Sequence, residues 1–366
     1  MERFAECFWD VEDPRGANAL HDLTELLFIA LLATLCGATN CSDMALFARI
    51  KEDLLRSVLG LKFGLPSHDT FSRVFRLLDA KAFEKAFQHF MKAFAASLKL
   101  KRAKGVIAID GKALRCAYER GRSHMPALMV TAWGAQTRMA LANVLAQEGG
   151  EAAAALSLIE LLQLKDCVVT ADALHCRRDT ATAILARKGD YVLAVKDNQP
   201  KLLNAAKAAI VAARRNKAKR SAPRKELSHG RKEKRMAVVA SAKTFAQELD
   251  FPGLTAFAMI RSKRGPDKTV ERYYLLSRHY RPTQLLAIVR EHWGIENCLH
   301  WTLDVVLDED LARNRKDNAP ANLAILRRLA LNIARAHPDK KISMRGKLKR
   351  AGWDEHFMFD MIANMR

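Results

Sequence analysis

Two short apolar segments that each lead directly into an aspartate limit the folds open to this chain more than any other feature. Residues 106–109 precede Asp110, and residues 167–171 precede Asp172. Both segments contain β-branched residues and are too short for a typical helix, so both are predicted to be buried strands. If the strands are neighbours in one sheet, both carboxylates lie at the same sheet edge, where oxygen ligands suit a hard divalent cation. The alternative is two carboxylates that only accept backbone hydrogen bonds in turns.

The elements predicted around these aspartates indicate an α/β fold. Gly111 follows Asp110 and indicates either a tight reversal or a close approach of the backbone. Hydrophobic periodicity predicts the order strand, strand, strand, helix, strand, helix, strand. These elements are expected at residues 106–110, 128–133, 139–145, 151–164, 167–171, 179–187 and 191–196.

The first 100 residues are predicted to be helical. Residues 26–36 form an apolar run that is too short to span a bilayer and indicates a buried helix. Residues 64–75 predict a turn into a helix with a serine at the N-cap. Such a turn suits a helix-turn-helix that reads DNA, and the alternative is a helical bundle whose polar face is only solvated. The side chains expected to contact DNA are Ser67, His68, Ser72 and Arg73.

The charge balance of the chain is strongly basic. It has 61 Lys and Arg against 40 Asp and Glu, a formal net charge of +21, which attracts polyanions and above all nucleic acid. Between residues 212 and 235 there are eleven Lys or Arg and two Glu. With strands predicted at 257–261 and 271–277, residues 201–280 are expected to form a basic, β-containing insertion that contacts the DNA backbone. A basic run of this kind is otherwise a solvated or disordered segment.

A third acid is expected on a long helix at residues 283–304. At 3.6 residues per turn, His292, Glu296 and His300 share one face of this helix. Glu296 would complete a site with three carboxylates, whereas the two histidines together with Glu296 would form a zinc site on one helix. Glu309 lies in a run of three consecutive acids and competes with Glu296 for the third position.

These motifs resemble those of the H-repeat-associated family of bacterial insertion-sequence transposases, which are DDE enzymes of the RNase H-like superfamily. The resemblance implies an α/β fold with an RNase H-like mixed-sheet catalytic core, in which Asp110, Asp172 and Glu296 are both the catalytic triad and the metal ligands. It also implies that two Mg²⁺ ions, or Mn²⁺ in their place, support hydrolysis and strand transfer at transposon ends. The similar stretches cover nearly the whole chain in the family's order, at residues 13–15, 64–75, 106–115, 170–172, 189–199, 229–231, 292–304 and 318–320.

Some positions differ from the family's pattern. The family usually has a threonine and a glycine where this chain has Ala113 and Cys116. Related transposases carry a tyrosine, an arginine and a lysine around the glutamate, where this chain has Val289, His292 and Leu303. These differences concern DNA-end contacts rather than the glutamate itself. The alternative function is therefore a DNA-binding remnant of a transposase that no longer cleaves.

Double-stranded DNA, as transposon ends and as target, is the expected partner, and the pairing of two ends favours a homodimer. Polar residues near the strand ends and on the long helix are expected to contact this DNA. They are Lys112, Arg115, Lys196, Asn198, Gln199 and His292. The predicted organisation is an N-terminal helical domain at 1–100 that binds DNA ends and a catalytic core in two parts, at 101–200 and 281–366. The basic insertion at 201–280 lies between these two parts.

The cysteines and the first residues indicate the compartment. The seven cysteines are scattered and form no Cys-x-x-Cys pair, which argues against a disulfide framework and for a reducing compartment. Residues 1–6 lack the basic and apolar regions of a signal peptide. A cytoplasmic protein that associates with the nucleoid and not with a membrane is expected.

Overall fold

A computed structural model describes residues 2–97, 105–118, 126–147, 150–215, 224–228, 231–264 and 269–363. Within these residues the central element is one sheet of nine strands, in the spatial order β3-β2-β1-β4-β5-β9-β8-β7-β6. The strands are β1 (Gly105–Ala113), β2 (Leu128–Gly134), β3 (Met139–Ala146), β4 (Cys167–Ala171), β5 (Asp190–Val195), β6 (Arg224–Ser228), β7 (Arg231–Ser241), β8 (Ala256–Arg264) and β9 (Val270–Leu276).

Helices precede, connect and follow these strands. A 3₁₀ turn at Ala173–His175, a π-helical segment at Ile295–His300 and a 3₁₀ turn at Glu309–Leu311 complete the regular structure. The helices are α1 (Glu2–Phe8), α2 (Leu23–Leu35), α3 (Cys41–Ile50), α4 (Glu52–Val58), α5 (His68–Leu77), α6 (Ala80–Ser97), α7 (Gly150–Glu160), α8 (Arg178–Ala186), α9 (Pro200–Arg215), α10 (Ala246–Leu249), α11 (Pro282–His292), α12 (Trp301–Val306), α13 (Ala319–Ala336), α14 (Met344–Trp353) and α15 (Glu355–Ala363).

The first five strands have the order and directions of an RNase H-like core. β1 pairs antiparallel with β2 and β2 antiparallel with β3, whereas β1, β4 and β5 run parallel to one another. The predicted α/β fold with a mixed sheet is therefore confirmed. The predicted succession of strands and helices between residues 106 and 196 is also confirmed, because each element there carries its own hydrophobic pattern.

The register between β1 and β4 brings the two aspartates together. The paired residues end at Ile109 opposite Ala171, so Asp110 and Asp172 occupy the next position on adjacent parallel strands. Adjacent strands lie about 4.8 Å apart. β1 continues past Asp110 and pairs with β2, so Gly111 is part of the strand and makes no reversal.

Helices cover both faces of the sheet. α7, α8 and α9 pack on one face, where Leu158, Ile184 and Ile210 are buried against Val169 and Leu193 of the parallel strands. The N-terminal helices, α11 and α13 cover the other face. Because the parallel strands are buried on both faces, their sequences are continuous apolar runs rather than alternating ones.

The N-terminal helices and α13 share one hydrophobic core. α2 is buried along almost its whole length, and it packs with α13. Polar side chains also join the two parts, since Asn322 Nδ2 donates to the carbonyls of Phe75 and Leu78 at 2.9 Å, and Arg327 donates to the carbonyl of Thr39 at 2.9 Å. The helical character of this region is as predicted, and its fusion with the C-terminal helices is an additional finding.

The β-containing region after residue 200 extends the core sheet. β9 pairs antiparallel with β5, and β8, β7 and β6 follow in turn. The strands expected in the insertion are present, and they continue the core sheet because the free edge of β5 accepts β9. Part of the basic segment at 212–235, and the turn at 265–268, lie outside the described residues.

The long helix predicted at residues 283–304 is interrupted. α11 ends at His292, the π-helical segment spans Ile295–His300, and α12 begins at Trp301. Hydrogen bonds in a π-helix span five residues instead of four, so the side-chain spacing expected from 3.6 residues per turn does not hold here.

The predicted turn-helix at residues 64–75 is present as the start of α5. Ser67 caps this helix as expected, because its hydroxyl accepts the N–H of Thr70 at 3.2 Å. α4 and α5 are joined by residues 59–67, a longer connection than the three or four residues typical of a helix-turn-helix. DNA recognition by α5 therefore stays a prediction.

Candidate active site

Asp110 lies partly buried on β1, next to other acids. Burial raises the pKa of its carboxyl group to about 7, and the negative charges of Glu296 and Asp172 add to the increase. The backbone N–H of Gly111 acts in the opposite direction. Like charges must lie nearby to have this effect. The three acids proposed from the sequence, although distant along the chain, therefore lie close enough for the charges of Asp172 and Glu296 to act on Asp110.

Asp172 follows β4 and caps the 3₁₀ turn Ala173–His175. Its Oδ1 accepts the N–H of Leu174 at 2.9 Å. Two side-chain amides from the loop after β5 donate to backbone carbonyls of this region, Asn198 at 2.8 Å and Gln199 at 3.2 Å. These amides position the turn that carries Asp172, which differs from the direct DNA contact predicted for Asn198 and Gln199.

Glu296 opens the π-helical segment and lies at the surface. Partial burial of its carboxyl group raises the pKa of Glu296, and the guanidinium of Arg272 counteracts this increase. Arg272 is on β9 and lies over the ring of Trp293, with 5.6 Å between its guanidinium carbon and the ring centroid. A cation–π contact at this distance holds the guanidinium beside Glu296. No motif in the sequence marks Arg272, since only the pairing of β9 with β5 brings it here.

Two histidines near the aspartates are neutral at pH 7. His292 Nδ1 is 2.9 Å from Thr170 Oγ1, and burial lowers the pKa of His292 to about 4. His300 Nδ1 is 3.7 Å from Oδ2 of Asp110, and burial is the main cause that lowers its pKa to about 3. His292 therefore supports the end of β4 through Thr170, and the DNA contact expected of His292 stays a prediction.

The acids interact electrostatically without converging on one point. Among the residues that the structure describes, no group of three or more His, Cys, Asp or Glu side chains is placed so that it could hold a metal ion. The oxygen donors of Asp110, Asp172 and Glu296 nevertheless fit Mg²⁺ or Mn²⁺ in their chemistry. They do not form the nitrogen- or sulfur-rich set that is typical of zinc.

Lys112 is buried and paired with acids. Its Nζ lies 2.6 Å from Oδ1 of Asp304, 2.6 Å from Oδ1 of Asp310 and 3.8 Å from Oε2 of Glu309, and its side chain is 7% exposed. The predicted contact of Lys112 with a DNA phosphate is therefore corrected, because its charge is neutralised inside the protein. Lys112 instead ties β1 to α12 and to the turn that follows it.

Glu309, the competing candidate for the third acid, is buried in an ion pair. Its Oε1 accepts from Nη1 of Arg328 at 2.8 Å, and neither side chain is exposed. Arg328 also donates to Thr131 Oγ1 at 3.2 Å. The pair therefore joins α13 to β2, and Glu309 has a structural role.

A fourth acid, which the sequence did not single out, lies at the same edge. Glu151 is in the first turn of α7, and its charge adds to the increase in the pKa of Asp110. Its Oε1 is 3.2 Å from Nε2 of His175 and lies directly against the backbone at Gly111. In the sequence, an acid at this position indicates only a favourable interaction with the helix dipole.

Most of the other predicted DNA contacts are accessible to solvent. Ser72 is half-buried, and the hydroxyl of exposed Ser67 is used as the cap of α5. Four further side chains are exposed, namely Arg115, Lys196, His68 and Arg73.

Comparison with known families identifies the chain. The sequence profile described as Transposase DDE domain matches residues 101–333, which include Asp110, Asp172 and Glu296. The chain belongs to this DDE transposase family. A second profile, described as DDE_Tnp_1-associated, matches residues 5–91, which form the N-terminal helical layer.

Relatives of this DDE transposase are similar over almost their full length. It is 31% identical to YncI of Escherichia coli O157:H7 over 354 residues, which cover 94% of this chain and 90% of YncI. It is 30% identical to the H repeat-associated protein YhhI of Escherichia coli strain K12 over 355 residues, which cover 94% and 93%. Both names include the word transposase. The resemblance to the H-repeat-associated family is thereby confirmed.

A solved structure is also similar in its backbone. The piggyBac transposase synaptic complex with hairpin DNA matches with a TM-score of 0.47 and 16% sequence identity, over 100% of this chain and 77% of that chain. Family membership makes the protein a transposase, a protein that acts on DNA, and DDE transposases generally use divalent metal ions. Among the described helices, none has both the length and the apolar character needed to cross a bilayer.

Proposed function

We propose that this DDE transposase hydrolyses and joins DNA strands at the ends of an insertion sequence, with Asp110, Asp172 and Glu296 as its catalytic acids. The observation that supports the proposal is that Asp110 and Asp172 follow the same register position on adjacent parallel strands, while the charge of Glu296 is near enough to raise the pKa of Asp110. A carboxyl group whose pKa is raised both by burial and by neighbouring acids, as that of Asp110 is, is typical of a catalytic site, whereas an isolated surface carboxylate lacks both causes.

The three carboxylates would hold two Mg²⁺ ions, or Mn²⁺ in their place. Such ions, when bound, activate the attacking water or 3′-hydroxyl and stabilise the leaving oxygen. Asp110, Asp172 and Glu296 would supply the carboxylate oxygens that hold these ions, and the charges of both other acids act on Asp110. The N–H of Leu174 orients Asp172, and Arg272 lies beside Glu296, so both acids are positioned before DNA arrives.

DNA is proposed to approach this site along exposed cations. The register of β5 and β9 ends at Val195 opposite Tyr273, so Lys196 and Arg272 are adjacent at the next position. Together with Arg115, they would contact phosphates on either side of the cleaved bond. The exposed side chains at the start of α5 would read the end sequence, and two copies of the chain would hold two ends.

A DNA-binding remnant without cleavage activity is the competing function. One observation favours it, because His292, at the position where related transposases carry an arginine, is neutral and bound to Thr170. Arg272 of β9 supplies a cation beside Glu296, although it comes from a different element than the arginine of related transposases. This cation favours retained cleavage.

The experiment is nicking of a supercoiled plasmid that carries the element's ends, by purified full-length protein. The wild type is expected to nick in Mg²⁺ and not in EDTA. Asp172→Asn and Glu296→Gln are expected to abolish nicking and to keep DNA binding, because each removes a charged ligand and preserves shape. Glu160→Gln, at the exposed end of α7, is the control and should nick like the wild type.

Nicking by Asp172→Asn or Glu296→Gln at the wild-type rate would refute the assignment of that acid. A wild-type protein that binds the ends and never nicks them would instead support the remnant.

A further inference from the structure

We infer that His300 is a positioning residue of the proposed active site, with the proton on its Nδ1 directed at the carboxylate of Asp110. A buried water molecule, held by Arg328 and Glu309, fixes this arrangement by donating a hydrogen bond to Nε2 of the same ring. The inference rests on the proposed function, because Asp110 is one of the catalytic acids of that proposal.

The Nδ1 side of the His300 ring faces the acid. Nδ1 is 3.7 Å from Oδ2 of Asp110, and the histidine side chain is only 14% exposed. Hydrogen bonds of catalytic groups are often long before the substrate binds, and they shorten in the complex. An ionised carboxylate can only accept a hydrogen bond, so an Nδ1 that interacts favourably with Asp110 carries the proton. Nε2 is then the nitrogen with the free electron pair.

The Nε2 side of the ring is buried, and two cations act on His300. Among the residues that the structure describes, Nε2 has no hydrogen-bond partner. After burial, the charges of Arg328 and Lys112 are the next causes that lower the pKa of His300, and the charge of Asp310 opposes them. Nearby cations favour an electron pair over an N–H at a ring nitrogen, because the N–H carries positive partial charge. They therefore favour the same neutral form of the ring as Asp110 does.

Two further buried atoms lack hydrogen-bond partners within the described part of the chain. Nη2 of Arg328 is a donor without an acceptor, and Oε2 of Glu309 is an acceptor without a donor. Both side chains are fully buried, and Nη1 of Arg328 donates to Oε1 of Glu309 at 2.8 Å. Each of these two residues therefore uses one atom in the ion pair and has a second atom available.

Neighbouring side chains connect this ion pair to His300. Asp304 follows His300 by about one helical turn and lies 2.6 Å from Nζ of Lys112, and the same Nζ is 3.8 Å from Oε2 of Glu309. One water molecule can accept from Nη2 of Arg328 and donate to both Oε2 and the histidine Nε2. Buried waters typically make about three hydrogen bonds of this kind. A single water therefore satisfies all three atoms, and it does so only if Nε2 is an acceptor.

A direct metal ligand is the competing role for His300. A neutral imidazole can bind a metal through Nδ1, and the proton must then lie on Nε2. That N–H would point towards the cations and could not accept from the water. The positioning role and the ligand role therefore differ in the place of one proton, which is measurable.

The place of this proton is measured by nitrogen-15 NMR of the full-length protein with labelled histidine, at pH 8 in EDTA. At this pH Asp110 is ionised, because its pKa is about 7. The chain has 11 histidines, and comparison with His300→Asn identifies the signals of His300. We expect a protonated Nδ1 and an unprotonated Nε2. The opposite form would refute the inference, and the measurement needs neither metal nor cleavage.

Two amide substitutions test the positioning role in the plasmid-nicking assay. The side-chain nitrogen of asparagine can take the place of Nδ1, whereas that of glutamine can take the place of Nε2. His300→Asn is therefore expected to keep most of the nicking rate. His300→Gln is expected to lose about tenfold, the lower end of the effect of changing groups that orient a metal ligand. His279→Gln, the same change at an exposed histidine after β9, is the control and should nick like the wild type.

The outcomes separate this inference from the proposed function. If the wild type nicks and the two His300 variants nick at the same rate as each other, the positioning role is refuted and the proposed function stands. If the wild type binds the ends and never nicks them, the proposed function fails, and the NMR spectrum alone decides where the proton of His300 lies. A crystal structure in which Nε2 has no water within hydrogen-bond distance would refute the part assigned to Arg328 and Glu309. Circular dichroism spectra establish that each variant is folded.

Discussion

At the scale of single residues, Asp110 links the stability of the folded protein to pH. Its pKa is about 7 in the folded protein, mainly through burial and then through the charges of Glu296 and Asp172, against an ordinary value of 3.8. The folded state therefore holds a proton that the unfolded state has lost between these two values. It follows that the contribution of Asp110 to stability decreases as pH rises from about 4 to about 7, when no metal is present.

We predict that, in EDTA, the melting temperature of Asp110→Asn rises relative to that of the wild type over this pH range, because only the wild type loses the contribution of Asp110. The buried His292 and His300 act in the opposite direction in both proteins, because their pKa values are lowered to about 4 and about 3. Glu84 also lowers stability as pH rises, because burial raises its pKa to about 8. The contribution of Asp110 is therefore measured as the difference in melting temperature between wild type and variant. Melting temperatures measured at pH 5, 6, 7 and 8 test the prediction. Parallel curves for the two proteins would contradict it.

Arg272 allows a second prediction about a single side chain. Arg272→Ala is expected to weaken binding of the end DNA uniformly across sequences and to reduce the slope of log affinity against log salt by about 1, as loss of one phosphate contact does. Titrations at several salt concentrations measure this slope. Arg278→Ala is the matched control, because Arg278 is 70% exposed and follows the opposite end of β9. Equal slopes for wild type and Arg272→Ala would exclude a phosphate contact.

At the scale of elements, Lys112 joins the strand of Asp110 to the helical region of Glu296. Lys112→Met leaves Asp304 without its cation and leaves Asp310 with only the exposed Arg115, so it is expected to lower the free energy of unfolding by about 3 kcal/mol, near the lower cost of breaking a buried ion pair. Urea unfolding measures this loss. Lys263→Met, an exposed lysine on β8, should change stability by less than about 0.5 kcal/mol. A similar loss in both variants would mean that the ion pairs of Lys112 contribute nothing specific.

These elements also separate what a sequence can predict from what it cannot. The strands that lead to Asp110 and Asp172 were predictable because short apolar runs are a local signal. The π-helical segment was not, because Ile295–His300 has the composition of an ordinary helix. The burial of Lys112 was not predictable either, since its partners lie almost 200 residues further along the chain. The positions of Glu151 near Asp110 and of Arg272 near Glu296 also result from tertiary packing, which no local signal predicts.

At the scale of the whole molecule, the shared core predicts that the N-terminal layer cannot be removed. α13 is buried against α2, α5 and α6, so deletion of residues 1–100 exposes a long apolar surface. We expect the truncated protein to be unfolded or aggregated, with no cooperative melting transition. A truncated protein that melts cooperatively and binds DNA would contradict the prediction.

The exposed surface of α5 is therefore better tested by point changes in the full chain. A double variant, His68→Ala with Arg73→Ala, should keep the melting temperature and lose preference for the end sequence, because both side chains are exposed. Equal preference in variant and wild type would assign end recognition to another surface.

The burial of α13 within the N-terminal layer also has a consequence during protein synthesis. The helices made first have no completed core until residues close to the C-terminus have left the ribosome. A chain that ends before α13 therefore lacks the helix that completes this core. A gene copy with a premature stop codon before α13 should therefore yield a product that is degraded. Such a product would not compete with intact transposase for the ends of the element.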